Sequence, residues 1–404
     1  MNIAREYGRG KIVVIGGGFA GLSAAIVAAD EIRAGGCVAT VALVSDSDHI
    51  TIRPRLYEKS PEALRAPLRP VLDPTGIAFV EGWVTAIDTE ANTVSLKDGT
   101  MLAYDRLILA TGSVMSTLPV AGVAKYTFSI DSYACAVAFD RHLQKVAKTP
   151  GAPGHGTYII VGGGMTGIEL AAEMRNRIAE HADAPTAGAA RVILVEIAGA
   201  IGPEFGDNPR PVIDAALDEA RVERRLGCRV AGFDAAGVTL ADGSRIDAAT
   251  VVVTVGLRAS GLALQIPGRR DKLGRLEVDD NLKVTGLADV YATGDVARAR
   301  VDDAGNVALM SCQHARTMGK YAGLNAARDL MGVALRPYRQ PNYTTCLDLG
   351  NSGAVFTMGW DRQVQATGAE AKKRKKMINT EWIYPPVGTA NDIFAGLRID
   401  ERGR

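Results

Sequence analysis

Residues 11–21 read K-I-V-V-I-G-G-G-F-A-G, and residues 158–167 read Y-I-I-V-G-G-G-M-T-G. Each is a short β-branched run, then glycines, then a small-residue stretch of helical period, over residues 22–30 and 168–177. A buried strand that turns through G-x-G-x-x-G into a helix has a mechanical purpose. The first glycine permits the turn, the second lets a pyrophosphate approach the backbone, and the third lets helix and strand pack closely. The helix N-terminus then offers unpaired N–H groups to the anion. Gly16, Gly18 and Gly21 fill these positions in the first copy, and Gly162, Gly164 and Gly167 in the second. One such turn is a weak signal, but the rest of the chain repeats with it.

The stretch V-S-L-K-D-G-T around residues 98–99 is echoed by V-T-L-A-D-G-S around residues 242–243. Both D-G pairs lie between alternating apolar residues, which predicts tight hairpins. Apolar strands follow, R-L-I-L-A-T-G through Ala110 and Thr111 to Gly112, and V-V-V-T-V-G to Gly256. The interval from D-G glycine to closing glycine is the same in both copies, 99 to 112 and 243 to 256. The acidic residue that bonds a ribose should end the second strand of each copy. V-I-L-V-E places Glu196 there, and a carboxylate repels a 2′-phosphate, so NADH is expected in preference to NADPH. The first copy reads V-A-L-V-S-D and puts Ser45 there, with Asp46 one residue later. Two nucleotides held in one chain suit hydride passing between a nicotinamide and a flavin. A third apolar strand closes at A-T-G-D, residues 292–295, and a helical pattern runs over 311–331. The remaining residues differ in kind: strands over 342–359, a basic cluster at 372–376, and no clear period from Pro385 onward.

Composition narrows the function. At roughly 150 residues per domain, 404 residues suggest two or three domains. With 46 basic and 45 acidic side chains the net charge is +1, which argues against a nucleic-acid binder. The 45 glycines exceed the usual ~7% and fit an α/β protein with many close backbone approaches. Five scattered cysteines without a C-x-x-C predict no disulfide framework and a reducing compartment. Five histidines without ligand spacing predict no metal site. No apolar run is long enough to span a bilayer, so the expected location is cytoplasmic, with peripheral contact at the inner face of the cell membrane left open. The fold expected is α/β: two Rossmann-like dinucleotide-binding domains with inserted antiparallel meanders, plus a C-terminal α+β segment. The expected boundaries are 1–120 with 281–334 for a discontinuous FAD-binding domain, 121–280 for an NAD(P)H-binding domain, and 335–404 for an acceptor or interface segment. The first is read as FAD-binding because A-T-G-D at 292–295 resembles the segment where flavoproteins hold FAD.

The chain resembles the two-dinucleotide-binding flavoproteins, and among them the type II NADH dehydrogenases (NADH:quinone oxidoreductases). The residues that carry this are I-G-G-G-F-A-G-L at the start, R-P-R-L-Y-E at 53–58, L-A-T-G-S at 109–113, V-G-G-G-M-T-G-I-E-L-A-A-E at 161–173, and A-T-G-D-V-A at 292–297. The resemblance implies FAD held by Gly16, Gly18, Gly21, Thr111, Gly112, Gly294 and Asp295, with Ser45, Asp46, Arg53 and Ala110 beside them. It implies NADH over Gly162, Gly164, Gly167, Glu196 and Gly256. Glu169 matches a family glutamate near nicotinamide and flavin, and Gln313 and His314 complete the expected catalytic set. The chain departs from the family after A-T-G-D-V: S-C-Q-H-A-R-T-M-G-K keeps Gln313 but lacks the family's glutamine pair. Disulfide reductases of the same superfamily need a close cysteine pair, which this sequence does not contain. The expected activity is transfer of hydride from NADH to flavin N5 and then of electrons to a quinone or similar aromatic acceptor. A reductase of a small electron-carrier protein, or a redox-sensing NAD/FAD-binding protein resembling apoptosis-inducing factor, stays open, as does a homodimer.

Overall fold

Five strands form a parallel sheet in the order Val290–Ala292, Arg106–Leu109, Gly10–Ile15, Ala39–Ser45, Ala78–Glu81. The structure, a computed structural model, describes residues 10–116, 118–149 and 154–399. The outermost residues of the expected first and last segments, 1–9 and 400–404, lie outside that set. A second parallel sheet runs Thr250–Val253, Thr157–Val161, Arg191–Val195, Val222–Arg225. Laid over one another, the two orders match strand for strand, and the first sheet adds Val290–Ala292 at one edge. That extra strand is the late segment ending in A-T-G-D, so the chain returns to its first sheet after completing the second. Their central strands are apolar and almost wholly buried, as strands covered on both faces must be.

Each sheet carries its glycine-turn helix, α1 over Phe19–Ala34 and α2 over Met165–Ala179. Each also carries a three-stranded antiparallel meander. These are Val84–Asp88, Thr93–Leu96 and Met101–Ala103 in the first half, and Val230–Asp234, Gly237–Leu240 and Arg245–Asp247 in the second. The D-G turns close both meanders, with Gly99 at φ +91° and Gly243 at φ +85°. The long helix α3, Cys312–Leu330, starts at an N-cap Ser311 whose side chain accepts from the His314 N–H. It lies against α1 with little room between them. A Cβ on Gly319 would stand 2.2 Å from the Ala20 carbonyl oxygen, and one on Gly323 2.1 Å from that of Ala24.

The C-terminal part forms a sheet of Thr344–Asp348, Ala354–Met358 and Gln363–Thr367, on which helix α4, Gly368–Met377, packs. Where the sequence showed no period after Pro385, helix α5 forms over Ala390–Leu397, and a capping box between Thr389 and Asp392 opens it. Its Ile393, Phe394 and Leu397 join the core of the first sheet. Among the described residues no helix is long and apolar enough to cross a membrane.

Candidate functional site

The two glycine turns share one geometry. Gly16 and Gly162 have φ of +113° and +114°, values that an L side chain rarely adopts. A Cβ on Gly21 would stand 1.8 Å from the Gly16 carbonyl oxygen, and one on Gly167 1.8 Å from that of Gly162. The third glycine is therefore needed for the helix to sit on its strand. Gly18 and Gly164 are extended N-cap residues, and neither helix has a cap from its own N-cap side chain. Around Gly18 a Cβ would meet nothing within 4 Å, and the same holds at Gly112. An open helix N-terminus between two side-chain-free glycines fits the pyrophosphate of a dinucleotide such as FAD.

The strand-end residues differ between the halves. Glu196 is buried against its turn, accepting from Gly163 N–H at 2.6 Å and Ala198 N–H at 2.8 Å. Ser45 holds the equivalent place, its Oγ 2.6 Å from where a Cβ on Gly17 would be, and Asp46 is exposed beside it. Ser45 offers a neutral hydroxyl where Glu196 offers a charged carboxylate, so a ribose contact on the first side lacks the charge-assisted bonds available on the second.

Several expected residues meet at the seam between the sheets. Thr111 Oγ1 and Ser260 Oγ lie 2.5 Å apart, and Ser260 N–H donates to the Gly112 carbonyl at 3.0 Å. Strand Ser113–Met115 pairs antiparallel with Leu257–Ala259, directly after Gly112 and Gly256. Asp295, behind Gly294 at φ +70°, accepts from Ser113 Oγ at 2.6 Å; burial pushes its carboxyl above the ordinary range. Arg53 donates to Ser113 O and Oγ at 3.0 Å, bonds Asp131, and lies 3.9 Å from Asp295. Its guanidinium thus ties the loops around Asp295 together. Ala110 is buried, its N–H bonded to the Ile15 carbonyl in the strand ladder.

Glu169 is buried one turn into α2. Its Oε1 accepts from Lys375 Nζ at 2.7 Å and from Asp348 N–H at 3.0 Å. Lys375, itself buried, also donates to the Cys346 carbonyl at 3.0 Å. Asp348 takes the Tyr57 hydroxyl at 3.0 Å and bonds the Lys372 ammonium. Burial pushes the Glu169 carboxyl up, against the pull of the Lys375 charge. A buried carboxylate and ammonium in contact form a place where a proton can be held or released. Gln313 sits at the start of α3, with Thr344 Oγ1 donating to its Oε1 at 3.4 Å. His314 is fully buried and stacks on Tyr343 at 5.0 Å, so burial lowers its pKa to about 4. It is neutral near pH 7 and shielded from solvent.

Within the basic run 372–376 the structure buries Lys375 on Glu169 and turns the half-buried Lys372 to Asp348, while Lys373, Arg374 and Lys376 face out. The signal was present as spacing: residues 372, 375 and 379 share one face of a helix. Charge masked it, because a buried lysine is rare unless it is paired, and its partners lie more than 20 residues away in sequence.

The model of the pyridine nucleotide-disulphide oxidoreductase family matches residues 10–319. An NADH dehydrogenase-like protein of Mycobacterium tuberculosis (strain CDC 1551 / Oshkosh) is 44% identical over 389 residues, covering 95% of this chain and 97% of that one. A type II NADH:quinone oxidoreductase of Staphylococcus epidermidis (strain ATCC 12228 / FDA PCI 1200) is 26% identical over 392 residues, with 93% and 96% covered. The sulfide:quinone oxidoreductase of Aquifex aeolicus shares the fold with a TM-score of 0.77 at 16% identity, over 93% of this chain and 90% of that one. These findings agree with FAD and NADH as the cofactor pair and with an NADH dehydrogenase. The chain belongs to the pyridine nucleotide-disulphide oxidoreductase family, on the branch that resembles the type II NADH dehydrogenases.

Proposed function

We propose that the protein oxidises NADH and passes the electrons to a quinone or a similar flat aromatic acceptor. FAD, when bound, supplies a two-electron relay that takes hydride at N5. The chain's own groups do the rest. The glycine turns would hold the two nucleotides, Glu196 would accept the ribose hydroxyls of NADH, and the start of α3 would offer its positive dipole end to the negative charge of a reduced flavin. Reduction of a quinone also consumes protons, and the Glu169–Lys375 pair holds one inside a network that reaches Tyr57 through Asp348.

What supports the acceptor assignment is the likeness to a type II NADH:quinone oxidoreductase, together with an apolar crevice beside the first glycine turn that is closed in this structure, with about 10 Å³ of free space. Phe19, Leu22, Ile50, Ile383 and Leu397 make it apolar, and Arg316 and Tyr384 supply its polar groups. Trp382 (47% exposed) and Val387 (70% exposed) flank the cleft-lining residues 383–386 along the chain. With the outward Lys373, Arg374 and Lys376 they suit an anionic membrane surface, from which a lipid-soluble acceptor would arrive. The test is steady-state NADH oxidation by the purified yellow protein with menadione, ferricyanide or a ferredoxin. Fast turnover with menadione is expected. Turnover that depends on the ferredoxin would assign a carrier-protein reductase. Negligible turnover with a long-lived long-wavelength band would assign a sensor.

A further inference from the structure

The two helix N-termini differ in one respect. At α1 the space beside Gly18 is open, whereas at α2 a carboxylate already lies there. The chain leaves Glu196, bonds back to the turn through Gly202 N–H to the Gly163 carbonyl (2.9 Å), and forms a single 3-10 turn over Pro203–Phe205. Glu204 on that turn accepts from the Met165 N–H at 3.0 Å, and its Oε1 stands 3.0 Å from where a Cβ on Gly164 would be. A negatively charged oxygen therefore occupies the place where a dinucleotide's diphosphate meets its helix. The carboxylate is on an exposed side chain, so nothing locks it there.

A second feature lies across from it. Asn208, four residues on, donates to the Asp361 carbonyl at 2.7 Å and so joins this loop to the turn between the last two strands of the C-terminal sheet. The next residue, Arg362, has φ +57° and is 5% exposed. Its guanidinium lies 4.2 Å over the Tyr343 ring, while Nε and Nη1 are buried with no hydrogen-bond partner. Burial acts to discharge Arg362, and the fields that oppose this come from Tyr343 and Glu204. Leaving two guanidinium N–H groups unpaired in the interior is costly, and a chain keeps such a group where an anion completes it in another state.

We propose that Glu204 is a resident stand-in for the diphosphate of the pyridine nucleotide, and that Arg362 is the cation that meets the diphosphate once Glu204 swings out. The pair then sets nucleotide affinity. NADH must displace an anion that the protein itself supplies, and in return uncovers a cation that the free protein keeps unpaired. This rests on the NADH-oxidising reading, because it assumes that a dinucleotide binds over α2.

The test is calorimetric titration of the oxidised, FAD-loaded protein with ADP-ribose, which carries the diphosphate but no nicotinamide, and with adenosine, which has neither. Glu204→Gln keeps an acceptor for Met165 N–H but removes the competing charge, and should tighten ADP-ribose binding about three- to tenfold. Arg362→Gln should weaken it by about tenfold, and Arg362→Lys by less, since the charge stays but the fork is lost. Adenosine should respond to none of the three. Unchanged or weaker ADP-ribose binding by Glu204→Gln overturns the stand-in, and unchanged binding by both Arg362 variants overturns the cation. A wild type that binds no ADP-ribose refutes the NADH-oxidising reading itself, which keeps the two failures apart. If Arg362→Gln fails to retain flavin, Arg362→Lys decides alone.

Discussion

Lys375 shows how a single side chain can hold a site together. Its ammonium is the counter-charge of a buried carboxylate, so Lys375→Met leaves Glu169 to take up a proton or remain charged without a partner. Breaking such a pair from one side costs about 3 kcal/mol. Urea unfolding should show that loss, and Glu169→Gln combined with Lys375→Met should recover most of it, because the double variant leaves no charge behind. Menadione reduction should fall in both variants if the pair handles a proton. His314 gives a separate pH signature. Its folded value of about 4 lies below the ordinary value of 6.5. The unfolded chain therefore binds a proton in that interval that the folded chain refuses. The stability tied to this group is full above pH 6.5 and is lost as pH falls toward 4, by on the order of 3 kcal/mol in total. His314→Phe keeps an aromatic ring on Tyr343 and should flatten that part of the stability–pH curve relative to wild type. A parallel curve would show that the imidazole is not held neutral.

At the scale of elements, α3 packs closely on α1, the helix that follows the first glycine turn. Gly319 and Gly323 face the Ala20 and Ala24 carbonyls too closely for any side chain. Gly323→Ala forces the helices apart and should cost about 2 kcal/mol, visible as a lower melting temperature. Since α1 begins at the glycine turn and α3 at Cys312, beside Gln313, flavin should also dissociate more readily, and an unaltered melting curve with full flavin retention would refute the close contact. The sequence showed both helices by their period. It did not show α5, whose eight residues are too few for a periodic signal and whose capping box uses Asp392 where Glu or Gln is usual. Docking of Ile393, Phe394 and Leu397 into the first core stabilises that short helix, not its own propensity.

At the scale of the molecule, the duplication allows the two nucleotide sites to be separated experimentally. Gly167→Ala places a Cβ 1.8 Å from the Gly162 carbonyl oxygen. It should leave a yellow protein that no longer binds NADH, read from flavin absorbance and from nucleotide titration. Gly21→Ala, with the same clash in the first half, should yield colourless protein. The reverse pattern would exchange the two assignments. Glu196→Gln should raise the Michaelis constant for NADH and narrow the preference over NADPH, by about tenfold if the carboxylate bonds the ribose. An unchanged preference would show that the carboxylate serves only the backbone N–H groups of Gly163 and Ala198.

Glycine turns, strand-end residues and matched intervals were legible in the chain because each is a local requirement. A φ near +113° or a 1.8 Å approach admits only glycine, whatever surrounds it. That was enough for the two sheets, their meanders and the cofactor pair. The pairing of Glu169 with Lys375, the burial of His314, the carboxylate of Glu204 on α2 and the unpaired Arg362 were decided by the tertiary structure. Each depends on which side chains meet after segments from different elements are brought together, and desolvation sets their energies only then.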